Sequence, residues 1–447
     1  MKLFGTDGVR GIANTELDPT LAYKLGKAGA YILSKGKEKA KILVGRDTRI
    51  SGSMLESALI AGICSVGVDV VKLGVVPTPA VAHLVREYNA DGGVVISASH
   101  NPVEYNGIKF LNEKGYKLTD EMEESIEKLI EDGVENLPSP VGNDIGNAYD
   151  DKNSIEEYVK YVSNIYDIDL KGMKIALDCS NGANYISAPK LFKDLNAEVL
   201  VINDKPDGYN INKDCGSTHL ESIKKFTVDN NCDIGFAYDG DADRCLAIDD
   251  KGNEIDGDFI MTILANHLKN NNELEKDTLV VTVMSNMGLF ISCKENDIKL
   301  EQTKVGDRYV LENMLSNGYK IGGEQSGHII LLDYNTTGDG LITSLSLAKT
   351  VKEMNKPLSE IKDIMKKLPQ VLVNVRVERD KKNIYEVNDK VIDKIKSVEK
   401  SLEGKGRVLI RPSGTEPLIR VMLEGEDNEY IEKMANEIAS LIEKEAN

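Results

Sequence analysis

Three carboxylates stand close together in the segment IGFAYDGDADRCLAID, at the alternate positions Asp239, Asp241 and Asp243. An apolar strand precedes them and another follows, so they occupy the loop between two strands. Carboxylates with small residues between them can converge on one hard cation, and they repel one another when no cation is bound. An EF-hand does not fit, because Arg244 stands where that loop requires glycine. The segment predicts a Mg²⁺ site that a phosphate oxygen could complete, with an acidic surface hairpin as the alternative.

A serine that could act as a nucleophile follows the apolar run in VVISASHNPVEYNGIKF, residues 94–110. Ser99 would need help from a base or a covalent modification to serve as one. The segment lacks the G-x-S-x-G pattern of a hydrolase elbow. Adjacent side chains of an extended segment point to opposite sides, so we expect no relay between Ser99 and His100. A turn with solvated polar residues is the alternative.

The segment IGGEQSGHIIL (321–331) places a carboxylate, a hydroxyl and an imidazole at alternate positions, Glu324, Ser326 and His328. If the backbone is extended, the three side chains share one face. This set suits the hydroxyl and amine groups of a sugar better than a metal ion. A hairpin turn with polar alternation is the alternative.

The segment RPSGTEP near the C-terminus has the composition of a phosphate cradle. Arg411 can bind an anion with two parallel hydrogen bonds, Ser413 and Thr415 offer hydroxyls, and Gly414 lets the backbone approach closely. Arg420 follows just beyond. An ordinary type I or type II turn would explain the same proline, serine and glycine.

Two further segments carry charges that could contact a ligand. FGTDGVRG (4–11) contains Arg10, which is a second phosphate contact or part of a tight N-terminal turn. TKVGDRYV (303–310) contains Lys304, Asp307 and Arg308, for which a solvated charge cluster is the default interpretation.

The elements that must position these loops repeat along the chain. A β-rich run, a helical stretch and a second β-rich run occur at 41–74, at 174–203 and at 278–304. Such crossovers join parallel strands buried on both faces, which explains their consecutive Val, Ile and Leu residues. The C-terminal part differs: we predict a strand at 370–377, a helix at 384–402, two strands around a turn at 407–425 and a helix at 428–445.

The predicted fold class is α/β, with three tandem mixed α/β domains of similar topology and a smaller C-terminal α+β domain around a central cleft. The polar segment ENLPSPVGNDIGN is a plausible linker after the first domain. We place the four domains at residues 1–150, 151–253, 254–368 and 369–447.

The composition limits the classes of partner. The chain has 447 residues, 73 acidic against 55 basic, and a formal charge of −18, which argues against nucleic acid and anionic membranes as partners. No apolar run approaches the ~20 residues that span a bilayer, and the N-terminus lacks the apolar region of a signal peptide. Its 6 cysteines form no CxxC pair, which is typical of reduced thiols in a cytoplasmic protein.

One candidate nucleophile, one metal loop, one sugar-binding loop and one phosphate cradle follow one another in the four predicted domains. Together they describe a cleft between domains in which a phosphoryl group is transferred on a phosphorylated sugar, with Mg²⁺ neutralising the charge of that group.

The motifs SASHNP, DGDADR, GEQSGH and RPSGTEP, with FGTDGVRG at the start, resemble those of the α-D-phosphohexomutase superfamily over essentially the whole chain. The closest resemblance is to the bacterial phosphoglucosamine mutases. It implies interconversion of glucosamine 6-phosphate and glucosamine 1-phosphate through a phosphoserine at Ser99 and a hexosamine 1,6-bisphosphate, for UDP-N-acetylglucosamine and cell-wall synthesis. A homodimer is a further expectation at the level of the family.

The resemblance also implies a role for each residue named above. The three aspartates would hold Mg²⁺ with an oxygen of the Ser99 phosphate, and Lys109, His100 and Arg10 would assist proton transfer and catalysis. Substrate would be bound by Arg244, Lys304, Arg308, Glu324, Ser326 and His328. The phosphate that does not react would be held by Arg411, Ser413, Gly414, Thr415 and Arg420.

The chain departs from the family pattern next to the nucleophile. Tyr105 stands where the family commonly has aspartate, and Leu111 where it commonly has phenylalanine, so the hydrogen bonds that orient Lys109 are in question. Three other functions stay open: a phosphomannomutase/phosphoglucomutase of the same fold, a metal-dependent sugar phosphatase, and a non-catalytic sugar-phosphate sensor. A sensor would be expected to lack Ser99 or an aspartate, and the chain retains them.

Overall fold

The computed structural model describes residues 2–5, 7–34, 37, 39–378, 381–402, 404–413 and 417–446. The chain divides into two compact units, one with Met1–Met284 and Asp297–Asp363, the other with Ser285–Asn296 and Ile364–Asn447. The described residues form three mixed sheets in the first unit and one antiparallel sheet in the second. The predicted class of three mixed α/β domains and a smaller C-terminal α+β domain is confirmed. No helix within the ranges above is long and apolar enough to cross a membrane.

The first sheet has the order β1-β5-β4-β2-β3-β6, with β2, β3, β4 and β6 parallel. Its strands are β1 (Val9–Ile12), β2 (Lys41–Arg46), β3 (Asp69–Val75), β4 (Gly92–Ile96), β5 (Tyr105–Asn112) and β6 (Ala148–Asp150). Its helices are α1 (Pro19–Ser34), α2 (Gly52–Cys64), α3 (Thr78–Glu87) and α4 (Asp120–Glu131). Because β2 and β4 are parallel neighbours, the loops that follow them, from Asp47 and from Ser97, leave the sheet at the same edge.

The second sheet has the order β11-β10-β9-β7-β8. Its strands are β7 (Lys174–Asp178), β8 (Glu198–Ile202), β9 (Ile234–Tyr238), β10 (Cys245–Asp249) and β11 (Glu254–Ile255). Its helices are α5 (Ser154–Ser163), α6 (Ser187–Asp194) and α7 (Glu221–Asp229). β9 and β10 pair antiparallel with Tyr238 opposite Cys245, so the loop at 239–244 holds the three aspartates as predicted.

The third sheet has the order β13-β12-β14-β15. Its strands are β12 (Thr278–Thr282), β13 (Lys299–Thr303), β14 (Ile321–Gly323) and β15 (Ile329–Leu331). The helices along this part of the chain are α8 (Gly257–Asn270), α9 (Met287–Glu295), α10 (Asp307–Asn317), α11 (Gly340–Met354) and α12 (Leu358–Ile361), of which α9 belongs to the second unit. The antiparallel pair of β14 and β15 makes residues 324–328 a hairpin loop.

The second unit contains α13 (Ile384–Val387), α14 (Asp389–Leu402), β16 (Gln370–Arg376), β17 (Gly406–Pro412), β18 (Leu418–Gly425) and α15 (Asn428–Ala446). The predicted single helix at 384–402 is wrong, because Asn388 is extended and its Oδ1 accepts the N–H groups of Lys390 and Val391. This cap begins a new helix. Buried Glu424 accepts hydrogen bonds from the Asn286 amide and the Met287 N–H, which tie α9 to this unit.

A buried histidine makes the stability of the first unit depend on pH. His83 on α3 stacks on Tyr161 of α5 with ring centroids 3.8 Å apart, and burial, together with Arg86, lowers the pKa of His83 to about 4. The unfolded chain therefore takes up a proton near pH 6.5, whereas the folded chain does so only near its lowered pKa. The stabilising contribution of neutral His83 is lost as the pH falls through this window.

We expect His83→Phe to remove this loss and keep the ring contact. Between pH 7 and pH 5 the free energy of unfolding should fall by about 2 kcal/mol less in the variant than in the parent protein. Urea unfolding of both proteins at the two pH values measures the difference, in which the contributions of the unchanged carboxylates cancel. Equal falls in both proteins would contradict the prediction.

Candidate active site

Ser99 lies directly beyond β4 in a conformation that the sequence did not indicate. Its φ of 54° is left-handed, so the segment is not extended. The buried Ser99 hydroxyl donates to Asp239 Oδ2 at 2.6 Å, and Ser99 Oγ lies 3.3 Å from His100 Nδ1. The expectation that Ser99 and His100 point apart is therefore wrong. Burial, with the charges of Arg244 and Arg10, lowers the pKa of His100 to about 4, so its imidazole is neutral near pH 7.

The three predicted aspartates converge at the turn between β9 and β10. Asp239, Asp241 and Asp243 are buried, and each offers a ligand atom within 4.8 Å of the others. Burial, then Asp243 and Asp241, raise the pKa of Asp239 well above its ordinary value. Oδ1 of Asp241 and Oδ1 of Asp243 are buried without a hydrogen-bond partner among the described residues. Oxygen atoms in this state fit a hard cation.

Lys109 on β5 is held between two acidic groups. Its Nζ lies 2.8 Å from Asp241 Oδ2 and 2.9 Å from Asp7 Oδ2. Burial lowers the pKa of Lys109, but Asp241, Asp7 and Asp243 raise it by more, so the pKa stands above its ordinary value. The side chain is therefore a fixed cation and a poor base.

A line of alternating charges continues from Lys109 to the third sheet. Asp7 also accepts from Lys117, and Lys117 donates to Asp307 at the start of α10. Asp307 Oδ2 lies 3.5 Å from His328 Nε2, and His328 Nδ1 lies 3.5 Å from Asp243 Oδ2. The part that Asp7, Lys117 and Asp307 play here was not predicted from the sequence. Asp7 and Asp307 stand in segments already singled out for Arg10 and Arg308, whereas no local pattern marks Lys117.

The proposed sugar-binding loop is a turn. The Gly327 N–H donates to the Glu324 carbonyl at 3.0 Å, and Gly327 has a φ of 88°. The three side chains therefore do not share the face of an extended strand. Glu324 Oε1 accepts the Gly306 N–H at 3.0 Å, while Ser326 Oγ is buried without a hydrogen-bond partner among the described residues. His328 Nε2 accepts the Gly338 N–H, so its Nδ1 proton faces the aspartate loop.

Four of the other predicted cations, those of the first unit, divide into two pairs. Arg10 binds Asp7, and Arg244 Nε lies 3.8 Å from Asp243 Oδ1, so both stand beside the aspartates and Lys109. The described contacts of Lys304 and Arg308 lie elsewhere. Exposed Lys304 has its Nζ 5.9 Å from the centre of the Tyr309 ring. Arg308 binds two acidic side chains, Asp120 and Glu312.

The predicted phosphate cradle lies in the second unit. β17 and β18 pair with Arg411 directly opposite Arg420, so the two side chains share one face of the sheet. Burial, with the charge of Arg420, lowers the pKa of Arg411. Two facing cations favour an anion. Ser413 is buried at the end of β17, while Gly414 and Thr415 lie outside the described residues.

Tyr105, which departs from the family pattern, is not among the residues whose side chains bind Lys109. Lys109 is oriented by Asp7 and Asp241, whereas the Tyr105 carbonyl accepts from Arg49 and its side chain is 36% exposed. Leu111 is buried on β5 opposite Gly93 of β4. Tyr105 pairs with Ile12 of β1, so both departures lie at regular positions of the strand β5.

Comparison with known proteins gives the family. Models of phosphoglucomutase/phosphomannomutase alpha/beta/alpha domains I, II and III match residues 1–136, 156–252 and 256–368, and a model of the C-terminal domain matches 372–441. The chain is 62% identical over 441 residues to a phosphoglucosamine mutase of Clostridium botulinum (strain Eklund 17B / Type B), covering 99% of both proteins. The chain belongs to the phosphoglucosamine mutase family of the phosphohexomutase superfamily. Members of this family are mutases, enzymes of the isomerase class, and so is this chain.

Solved structures agree with the fold of this family. A phosphoglucomutase/phosphomannomutase family protein of Burkholderia thailandensis superimposes with a TM-score of 0.82 at 24% identity, covering 99% of this chain and 98% of that one. The N-acetylphosphoglucosamine mutase of Aspergillus fumigatus, solved in complex with GlcNAc-6P and magnesium, gives a TM-score of 0.69 at 17% identity. That comparison covers 100% of this chain and 96% of the other.

Proposed function

We propose that the enzyme interconverts glucosamine 6-phosphate and glucosamine 1-phosphate by way of a phosphoserine at Ser99. The observation that carries the mechanism is the buried Ser99 hydroxyl, 2.6 Å from Asp239 Oδ2 in a cluster of three carboxylates. A serine at this place can receive a phosphoryl group whose charge a bound cation offsets. Phosphoglucosamine mutases about 60% identical over nearly the whole chain support the substrate.

The donor set fits Mg²⁺. Asp239, Asp241 and Asp243 would hold the ion together with an oxygen of the Ser99 phosphate, and the Oδ1 atoms of Asp241 and Asp243, which accept no hydrogen bond from the described residues, would be available as ligands. When bound, the ion supplies charge neutralisation for the transferring phosphoryl group. The magnesium complex of the Aspergillus fumigatus relative supports the choice of metal.

The first transfer moves the phosphoryl group from Ser99 to the free hydroxyl of the sugar phosphate. The bond from phosphorus to Ser99 Oγ breaks while a bond from phosphorus to the sugar oxygen forms, which gives a hexosamine 1,6-bisphosphate. The sugar hydroxyl loses its proton and Ser99 Oγ gains one. Neutral His100, with Nδ1 3.3 Å from Oγ, is placed to move this proton. Lys109 stays protonated and stabilises negative charge beside Asp241.

The second transfer requires the bisphosphate to present its other phosphate to Ser99. The sugar must therefore be bound by groups that accept either orientation. The Glu324 carboxylate and the unpartnered hydroxyl of Ser326 provide such contacts on the third sheet. In the second unit, Arg411 and Arg420, with Ser413, provide the cationic site for the phosphate that does not react.

Substrate preference is tested by kcat/KM for glucosamine 1-phosphate, mannose 1-phosphate and glucose 1-phosphate in coupled assays. We expect glucosamine phosphate to be isomerised at least tenfold more efficiently than either neutral sugar. A higher value for mannose or glucose phosphate would identify a phosphomannomutase/phosphoglucomutase instead. Release of inorganic phosphate at the rate of turnover would identify a phosphatase, and absence of turnover on all three sugars would contradict the proposed reaction.

The phosphoserine is tested by the intact mass of the purified protein before and after incubation with glucosamine 1,6-bisphosphate. We expect the added mass of one phosphoryl group, located on Ser99 by peptide mapping. Turnover without any covalent phosphate, before or after incubation, would contradict the mechanism.

A further inference from the structure

The loop after β2 contains an arginine that has no part in the mechanism above. Arg49 is fully buried, with 0% of its side chain exposed, and so is its acidic partner Asp47. A buried guanidinium is costly unless each of its N–H groups is hydrogen-bonded. The acceptors of these hydrogen bonds therefore indicate the role of Arg49.

All five side-chain N–H groups of Arg49 have acceptors. Nε donates to Asp47 Oδ2 at 2.9 Å, and the other four donate to backbone carbonyl oxygens of one short segment. Nη2 donates to the carbonyl oxygens of Ser99, at 2.9 Å, and Asn101, at 2.8 Å. Nη1 donates to the carbonyl oxygens of Pro102 and Tyr105. One planar group thus holds the backbone on both sides of His100, from the catalytic serine to the start of β5.

Asp47 holds the other side of the same serine. It accepts from Arg49 and from the Ser97 hydroxyl, the latter at 2.6 Å, and Ser97 Oγ in turn accepts the Ser99 N–H at 2.9 Å. The N–H of Ser99 is therefore held through Ser97 and Asp47, and its C=O through Arg49. These contacts constrain the one residue of the loop whose φ of 54° is unusual for serine.

We propose that Arg49 is a positioning residue that maintains the left-handed conformation of Ser99 and so directs Oγ to Asp239 and His100. The inference rests on the proposed phosphoserine mechanism, since it concerns the geometry of the same transfer. Lysine cannot replace the arginine, because its three donors on a single nitrogen cannot serve four carbonyls and a carboxylate at once. Asn212, in the connection between β8 and β9, also donates to the Ser99 carbonyl, at 2.8 Å, so the loop keeps a second contact when Arg49 is changed.

The test is Arg49→Lys, with Arg46→Lys as the matched control. Arg46 is the last residue of β2 and pairs with Glu56 at 3.2 Å, and its side chain is 24% exposed. For Arg49→Lys we expect kcat to fall about 10²-fold or more, with KM within about threefold of the parent value, because a displaced nucleophile slows the transfer and leaves the sugar contacts in place. The rate at which Ser99 is phosphorylated by glucosamine 1,6-bisphosphate should fall by a similar factor. Arg46→Lys should match the parent protein in all three measurements.

Because Arg49 is buried, its replacement can also lower the amount of folded protein. A loss of folded protein would reduce the concentration of active sites and leave kcat per phosphorylated site unchanged. Titration with the bisphosphate, followed by intact mass, measures the concentration of sites. A folded Arg49→Lys protein with kcat per phosphorylated site within threefold of the parent value would overturn the inference.

Ser97→Ala is the second variant, and it removes only the hydroxyl between Asp47 and the Ser99 N–H. We expect a roughly tenfold loss of kcat with KM unchanged. If Arg49→Lys does not fold, parental kcat in Ser97→Ala overturns the inference.

The result for the parent protein distinguishes failure of the proposed phosphoserine mechanism from failure of the positioning role of Arg49. If the parent protein turns over without acquiring phosphate on Ser99, the proposed function fails. If it is phosphorylated on Ser99 and Arg49→Lys is phosphorylated as fast, only the positioning role fails.

Discussion

Replacing Ser99 by alanine is expected to reduce kcat by about 10⁴-fold or more and to leave the protein folded. The hydroxyl is the group that would carry the phosphoryl group, and no other described hydroxyl donates to the aspartate Asp239. The fold should survive because the N–H and C=O of Ser99 are bound by Ser97 and by Arg49, and alanine retains both groups. The measurements are kcat in the coupled assay, intact mass after incubation with glucosamine 1,6-bisphosphate, and the melting temperature.

Ser125→Ala is the matched control for this variant. Ser125 is exposed on α4, where its hydroxyl donates to the Glu121 carbonyl, so its loss should leave kcat and the covalent phosphate unchanged. Gain of one phosphoryl group by the Ser99→Ala protein, or activity above a tenth of the parental value, would show that another residue carries the phosphate.

Much of the fold is predictable from the sequence because its central strands are buried on both faces. Ile42, Leu43 and Val44 of β2 are fully buried, and such consecutive apolar residues give a parallel strand its own signature. Short breaks after these strands place the polar residues at one edge of each sheet. The aspartate loop was predictable because an apolar strand stands on each side of it, and the antiparallel pairing of these strands brings the carboxylates together.

The conformations of the loops were not predictable in the same way. The polar patterns around Ser99 and Glu324 are compatible with an extended chain, and long-range contacts decide against it. Asp47 and Arg49 hold Ser99 in the left-handed region, and the Gly306 N–H holds the Glu324 carboxylate at a turn. Contacts between residues far apart in the sequence leave no local signal.

The line of charges from Lys109 to Asp307 illustrates the same limit. Asp7 precedes β1, Lys109 lies on β5 and Lys117 follows β5, so the three side chains meet only after β1 pairs with β5. Each residue alone resembles an ordinary surface charge in the sequence. In the folded chain each of these charges has a partner of opposite sign, which offsets the free-energy cost of removing the charge from water.

Replacing Asp239 by asparagine is expected to change stability and activity in opposite directions. Without metal, burial and the neighbouring Asp243 and Asp241 raise the pKa of Asp239, so its ionised form destabilises the folded protein. Asparagine removes this charge, and its amide can still bind Ser99 Oγ and the Arg244 N–H. We expect the metal-free melting temperature to rise by about 1–3 °C, while kcat falls at least 10³-fold because a proposed metal ligand is lost.

The sign of the pH dependence follows from the same raised pKa. The stability of the metal-free parent protein should fall relative to the variant as the pH rises above the ordinary range of aspartate, since Asp239 then ionises freely in the unfolded chain but keeps its proton in the folded chain. Melting temperatures of both proteins with EDTA and with excess Mg²⁺, across this pH range, give the comparison. We expect Mg²⁺ to raise the melting temperature of the parent protein and to leave that of the variant nearly unchanged.

Asp178→Asn is the matched control, because Asp178 is a buried aspartate of the same sheet that lies outside the metal loop. Its two oxygen atoms accept the N–H groups of Ser180 and Gly216, so an amide nitrogen in place of one oxygen would face an N–H donor. This variant should melt at a lower temperature than the parent protein and retain the stabilisation by Mg²⁺. If Asp239→Asn behaves in the same way, Asp239 contributes a structural hydrogen bond and the metal site does not depend on it.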